Sequence, residues 1–168
     1  MTFYSPSLQR KLDSAGELIS WAMTEFSPHL VMTTAFGLNG VALIDLLFRT
    51  NRQRAKSTPV IFVDTGYHFA ETLETKRRIR ARYPLDLRLY RPDQSKALAT
   101  IHNLYAYNTD TCCALRKVEP MTRALSELQA TAILNGRARF QSQTRSHIEP
   151  VEWQVEPVSY THLRAHET

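Results

Sequence analysis

Apolar and polar positions along this chain follow two different periods, and the switch between them marks the elements. From residue 7 to 26, Leu8, Leu12, Ala15, Ile19, Ala22 and Phe26 share one stripe, while Gln9, Arg10, Asp13, Glu17 and Glu25 fall off it. That is the spacing of an amphipathic helix, and Pro28 closes it. Residues 30–36 predict a buried strand, Gly37-Leu38-Asn39-Gly40 a turn, and the nearly continuous apolar run 41–48 a helix buried against a sheet. Residues 51–57 are basic and polar and read as a connection. A second apolar run over 59–63 predicts a buried strand that delivers Asp64-Thr65-Gly66 in a polar turn. The helix expected over 69–83 turns Phe69, Leu73, Ile79 and Tyr83 inward, leaves Lys76, Arg77, Arg78, Arg80 and Arg82 mostly in solvent, and ends at Pro84.

Residues 85–90 alternate as a third strand, and Arg91-Pro92-Asp93 is a turn. Ala97, Leu98, Ile101, Leu104 and Tyr105 predict a fourth helix leading to the cysteines. Beyond them Val118, Met121, Ala124, Leu125 and Leu128 recur at helical spacing, with Pro120 acceptable in the first turn and Glu119 and Arg123 forming an i,i+4 pair outside. Residues 130–136 predict a fourth strand and 149–155 a fifth. Strands alternating with helices imply an α/β fold around a mostly parallel sheet flanked by helices, with ligands at the carboxyl ends of the strands.

Length and composition narrow the picture. With 168 residues, 43% of them hydrophobic, the chain suits one domain with one sizeable core. A net charge of +5 suits an anionic ligand, but acids are interspersed with the bases, so a nucleic-acid partner is not expected. The N-terminus resembles no signal peptide, and no run of about eighteen apolar residues occurs, so a cytoplasmic protein without a membrane partner is expected. Two adjacent cysteines imply no disulfide framework. Residues 158–168 resemble a translated sequencing adapter. The expectation is therefore a domain over 1–157 and a non-native tail over 158–168, whose two histidines are not ligands; a natural polar tail is the alternative.

Four segments carry candidate chemistry. Strand, glycine loop and helix over 30–48 form a phosphate-site arrangement, against the alternative of an ordinary tight turn. Asp64-Thr65-Gly66-Tyr67 sits where a parallel strand ends, with simple helix capping as the alternative. Cys112 and Cys113 precede Arg116 and Lys117, and nearby cations favour thiolate; buried, inert thiols are the alternative. Arg137, Arg139 and Arg145 suit an anion clamp or a solvated basic loop.

Cys112-Cys113 followed by Arg116-Lys117-Val118-Glu119-Pro120-Met121 resembles the assimilatory sulfonucleotide reductases, which act on adenylylsulfate or phosphoadenylylsulfate. The resemblance covers about residues 25–155 and implies the adenine-nucleotide α-hydrolase-like fold, related to PP-loop proteins. Residues 35–40 resemble the family's modified PP-loop, which implies Phe36, Gly37, Leu38 and Asn39 beside the nucleotide phosphate. They lack the Ser-Gly-Gly-x-Asp-Ser of ATP pyrophosphatases. Asp64, Thr65 and Gly66, with Tyr67, Glu71 and Thr72, match a second family element. Residues 136–145 resemble Gly-x-Arg-Arg-x-Gln-Ser-x-x-Arg with Ala138 in place of the first arginine, which leaves Arg139, Gln141 and Arg145 as the stronger substrate ligands.

The same resemblance implies Cys112 and Cys113 as two of four ligands of a [4Fe-4S] cluster, with Lys117 close to cluster and sulfate. It implies reduction to sulfite and AMP, or to sulfite and PAP, with thioredoxin or glutaredoxin as donor. The double cysteine leans to adenylylsulfate, while the loop also resembles members using phosphoadenylylsulfate. The family's nucleophilic cysteine and its Cys-x-x-Cys do not occur here, so the expectation is an N-terminal portion without turnover. Two other readings compete: a PP-loop ATP-dependent sulfur-transfer or adenylating enzyme, and a nucleotide-binding module with a structural zinc.

Overall fold

The computed structural model describes residues 5–95, 101 and 103–153. Along it run α1 (Pro6–Glu25), β1 (Leu30–Thr33), α2 (Leu38–Thr50), α3 (Arg52–Ser57), β2 (Pro59–Val63), α4 (Ala70–Arg82) and β3 (Asp86–Tyr90). After these come α5 (Leu104–Tyr107), α6 (Thr109–Cys113), a π-helical turn (Ala114–Val118), α7 (Glu119–Glu127), β4 (Ala132–Asn135) and 3-10 turns at Arg139–Gln141 and Gln143–Arg145.

The sheet order is β3-β2-β1-β4. β1 is central and pairs in parallel on both sides, Met32 opposite Val60 and Leu134, and Thr33 opposite Ile61 and Asn135. Strands covered on both faces read as continuous apolar runs, and Val31, Met32, Val60, Ile61 and Phe62 are fully buried. The α/β architecture around a parallel sheet is therefore as the element pattern implied.

Two compact units divide the chain. The first holds the described residues up to Phe62, with Phe69–Arg88 and Leu128–Gly136. Its core joins Ile19, Ala22 and Met23 of α1, Ile44, Leu47 and Phe48 of α2, Ala55 of α3, and the sheet, with Ile79 and Tyr83 packed at the side. Ser5 starts α1 by accepting the Leu8 amide at 3.3 Å, with Pro6 in the first turn. The second unit holds Val63–His68 and the described residues of Leu89–Glu127 and from Arg137 onward. Its main feature is an unbroken helical run from Thr109 to Glu127 in which the π turn closes with the Glu119 amide on the Ala114 carbonyl.

Several expectations are corrected. β1 stops at Thr33, because Phe36 takes φ 56 and cannot continue a strand. α2 begins at Leu38, so most of the expected 37–40 turn is its first helical turn. The polar connection contains α3, capped by the Asn51 side chain on the Arg54 amide at 3.0 Å and anchored by buried Ala55. Phe69 and Leu73 do not face inward; they are 78% and 40% exposed, and Lys76 instead lies over the Phe62 ring at 4.8 Å. α5 leads to the cysteines as expected at Leu104 and Tyr105, but Cys112 and Cys113 themselves stand inside a second helix, α6. Residues 149–153 form no strand. Ala97, Leu98, residues 154–155 and the tail 158–168 lie outside the described residues. Among the described residues no helix is long and apolar enough to cross a membrane.

Candidate functional site

In the first unit the chemistry gathers where β1 hands over to α2. The Thr34 amide still follows the sheet, donating to the Ile61 carbonyl at 3.1 Å, and its hydroxyl then accepts the Phe36 amide at 2.9 Å. Phe36 holds the left-handed region, where a side chain is unfavourable by roughly 1–3 kcal/mol unless its surroundings enforce it. Enforcement comes from its ring, 3% exposed and set edge-on to Phe62 at 5.3 Å. Gly37 is extended and acts as N-cap of α2 with no side-chain cap. The first amides of such a helix have no partner within it and carry the positive end of its dipole.

Two glycines shape this turn. A Cβ on Gly40 would collide with the Thr34 hydroxyl. One on Gly136, just beyond β4, would lie 2.9 Å from the Asn39 carbonyl carbon and 3.0 Å from the Gly40 nitrogen. β4 therefore ends directly against the first turn of α2. Of the four sequence-predicted residues here, Phe36 is buried, Asn39 half-buried, and Gly37 and Leu38 exposed.

In the second unit the chain leaves β2 at Asp64, whose amide donates to the Tyr90 carbonyl at 2.7 Å. One Asp64 carboxylate oxygen accepts the Gly66 amide at 3.1 Å and the other meets Arg91 Nε at 3.2 Å. Burial pushes the Asp64 carboxyl up, but the Gly66 amide, the Arg91 guanidinium and nearby His68 together hold it below its ordinary value. Thr65 Oγ1 accepts the Tyr67 amide at 3.3 Å, and Gly66 takes φ 80, a conformation glycine adopts freely. Asp64, Thr65 and Gly66 thus form one compact turn.

Cys112 is buried and Cys113 half-buried in α6, which Asn108 caps by accepting the Thr111 amide at 2.9 Å. The π turn that follows carries Arg116 and Lys117; such turns arise where one residue is inserted into an α-helix and are frequent at functional sites. Lys117 is half-buried. Arg123 of α7 pairs with Glu119 at 3.0 Å and donates to the Arg91 carbonyl at 2.6 Å. An open cleft of about 430 Å³ is lined by Leu89, Arg91, Pro92, Asp93, Glu119 and Arg123, none of them singled out as a ligand from the sequence.

Arg139, Gln141 and Arg145 stand together but face one another and their own segment. Arg139 Nε donates to the Ile148 carbonyl at 2.8 Å and its guanidinium meets Glu149 at 3.5 Å. Arg145 donates to Gln141 Oε1 at 2.6 Å, and Arg137 pairs with Glu152 at 3.2 Å. These pairs are largely exposed and hold weakly.

Among the described residues no group of three or more His, Cys, Asp or Glu side chains is placed to hold a metal ion. A [4Fe-4S] cluster takes four thiolates, and the chain has two cysteines, so its own residues do not complete such a site. Sequence reasoning missed Arg91, Thr34 and Gly136, and named Arg116 only as a cation beside the cysteines. Arg91 follows a strand paired beside the one that delivers Asp64, so the order of the sheet was the missing signal.

Residues 29–160 match the phosphoadenosine phosphosulfate reductase domain family. An adenosine 5′-phosphosulfate reductase of Deinococcus radiodurans is 44% identical over 142 residues, covering 81% of this chain and 52% of that protein. A phosphoadenosine 5′-phosphosulfate reductase of Synechocystis is 35% identical over 162 residues, covering 89% of this chain and 61% of that protein. The solved phosphoadenylyl-sulfate reductase of Candida auris, a phosphate complex, superposes with a TM-score of 0.65 at 31% identity, over 82% of this chain and 70% of that one. The chain spans about half to three fifths of the length of these curated relatives.

Proposed function

The chain belongs to the phosphoadenosine phosphosulfate reductase family, and we propose that it carries the nucleotide-holding part of an enzyme of sulfate assimilation that reduces adenosine 5′-phosphosulfate, or its 3′-phosphorylated form, to sulfite. The turn before α2 carries the proposal. A strained Phe36, an extended Gly37 and an uncapped helix N-terminus leave backbone amides free for phosphate oxygens. The Candida auris relative is a phosphate complex, an anion of the kind this turn suits. In this proposal the amides after Gly37 in the segment Phe36, Gly37, Leu38 and Asn39 bind phosphate. Asp64, Thr65, Gly66 and Lys117 are further substrate contacts. Arg139, Gln141 and Arg145 join by exchanging their exposed bonds to Ile148, Glu149 and one another for substrate oxygens.

The chemistry proposed for the whole enzyme is attack of a cysteine thiolate on the substrate's sulfate sulfur. A sulfur–sulfur bond forms, the sulfur–oxygen bond to the nucleotide phosphate breaks, and AMP or PAP leaves with the electron pair. A dithiol donor, thioredoxin or glutaredoxin, then attacks the enzyme's sulfur, becomes oxidised by two electrons and releases sulfite. Cys112 and Cys113 are proposed not as the attacking thiol but as two of the four ligands of a [4Fe-4S] cluster. No step here runs through it.

Calorimetric titration with adenosine 5′-phosphosulfate, AMP and ATP tests the reading. Expected is binding of adenosine 5′-phosphosulfate that weakens with added salt, without pyrophosphate release from ATP. No binding of adenosine 5′-phosphosulfate rejects the proposal, and pyrophosphate release redirects it to an ATP-using PP-loop enzyme.

A further inference from the structure

The 64–67 turn and the cysteine-bearing helix are joined by one side chain. From the π turn, Arg116 Nη1 donates to the Thr65 carbonyl at 2.9 Å and Nη2 to the Ile101 carbonyl at 3.5 Å. The guanidinium carbon stands 4.6 Å from the centre of the Tyr67 ring, and that ring meets Tyr105 edge-on at 5.5 Å. Between these two grips lies Gly66, where a Cβ would be 3.6 Å from Arg116 Nη1. Two turn residues on either side of Gly66, Thr65 and Tyr67, therefore rest on one guanidinium. A planar guanidinium donates from its edge to two carbonyls while its face covers an aromatic ring, a geometry that a compact ammonium reproduces poorly.

We propose that Arg116 is a positioning residue: it fixes the 64–67 turn to the helix of Cys112 and Cys113, so that the turn keeps one conformation for the substrate. The link to substrate rests on the proposed function; the link between turn and helix does not. The Asp64 and Thr65 side chains organise the turn internally through the Gly66 and Tyr67 amides, and Arg116 holds it from outside. Arg116 is three residues after Cys113 on the same helical run.

The test compares wild type with Arg116→Lys, Arg116→Met and Tyr67→Leu in the full 168-residue chain, by backbone NMR relaxation and calorimetry. In wild type the 65–67 amides are expected to show order parameters of about 0.85, falling below about 0.6 in both Arg116 variants while Met32 and Ile61 stay unchanged. Tyr67→Leu keeps the hydrogen bonds and loses the ring contact, so Gly66 moves partway; it reads the same contact should an Arg116 variant fail to fold. Full order retained at 65–67 in Arg116→Met, or restored by Arg116→Lys, overturns the proposal. Affinity for adenosine 5′-phosphosulfate is expected to fall about tenfold together with the order. A fall in affinity with an ordered turn makes Arg116 a direct ligand and also overturns it. A wild-type chain that binds no nucleotide refutes the proposed function instead, and the relaxation data alone then decide the positioning role.

Discussion

Gly136 is a place where one methyl group acts on two elements at once. A Cβ there meets the backbone of Asn39 and Gly40, which cannot swing aside as a side chain tip can. Gly136→Ala is therefore expected to lower unfolding free energy by about 1–3 kcal/mol in denaturant titration, as overpacking does. Because what yields is the first turn of α2, affinity for adenosine 5′-phosphosulfate should drop in the same variant. Asp64 gives a pH signature. Its folded carboxyl lies below the ordinary 3.8, so it stabilises the chain above the unfolded carboxylate range and that contribution disappears as pH falls through the lower folded value. Between about pH 5 and the acid limit, Asp64→Asn should show a shallower loss of stability than wild type in pH-dependent thermal melts. An identical slope would mean that Arg91 and the Gly66 amide do not hold the carboxylate. Asp64 was legible from the sequence as the polar end of an apolar run; its partner Arg91, 27 positions away, needed the β2–β3 pairing to be seen.

Elements with a clean period were legible and those set by local detail were not. The stripe through Ile19 and Ala22 and the apolar runs of β1 and β2 are repeated signals, each position agreeing with the next. α3 rests on one capping side chain, Asn51, and one buried residue, Ala55, too little to register as a period in six residues rich in arginine and lysine. The π turn leaves no period at all, since its neighbours on both sides are helical. Phe69 looked like a core position by spacing, yet it is the N-cap of α4, outside the regular turns, and stays exposed. The uncapped start of α2 yields a prediction of its own kind. Gly37 has φ −72 and ψ 172, and an added Cβ meets nothing within 4 Å. Gly37→Ser is thus free to cap the helix, and with reduced backbone freedom in the unfolded chain should raise stability by about 0.5–1 kcal/mol. The new hydroxyl would then occupy amides proposed for phosphate. A higher melting temperature with weaker nucleotide affinity is the expected pair of results; tighter binding would place the phosphate elsewhere.

At the scale of the molecule, the family and the parallel sheet were both legible, because they rest on consecutive residues such as Cys112-Cys113 and on long apolar runs. The division into two units was not, since the second is assembled from stretches far apart in sequence, Val63–His68 among them. Catalysis is the open matter at this scale, and the thiols decide it. The sequence holds two, adjacent on one helix and followed by Arg116 and Lys117. If they are ligands, neither attacks sulfate, and the chain should bind adenosine 5′-phosphosulfate yet release no sulfite when reduced thioredoxin is supplied. If one is the nucleophile, sulfite should appear, an S-sulfonated cysteine should be trapped when thioredoxin is withheld, and Cys112→Ser or Cys113→Ser should abolish both. Burial argues against Cys112 as the attacking thiol, since it is 7% exposed and an attacking thiol must admit both the substrate sulfur and then a protein donor's thiolate; half-buried Cys113 is decided by the assay. A sulfite assay beside intact-mass spectrometry of the two serine variants therefore separates a ligand pair from a nucleophile without requiring any metal to be loaded.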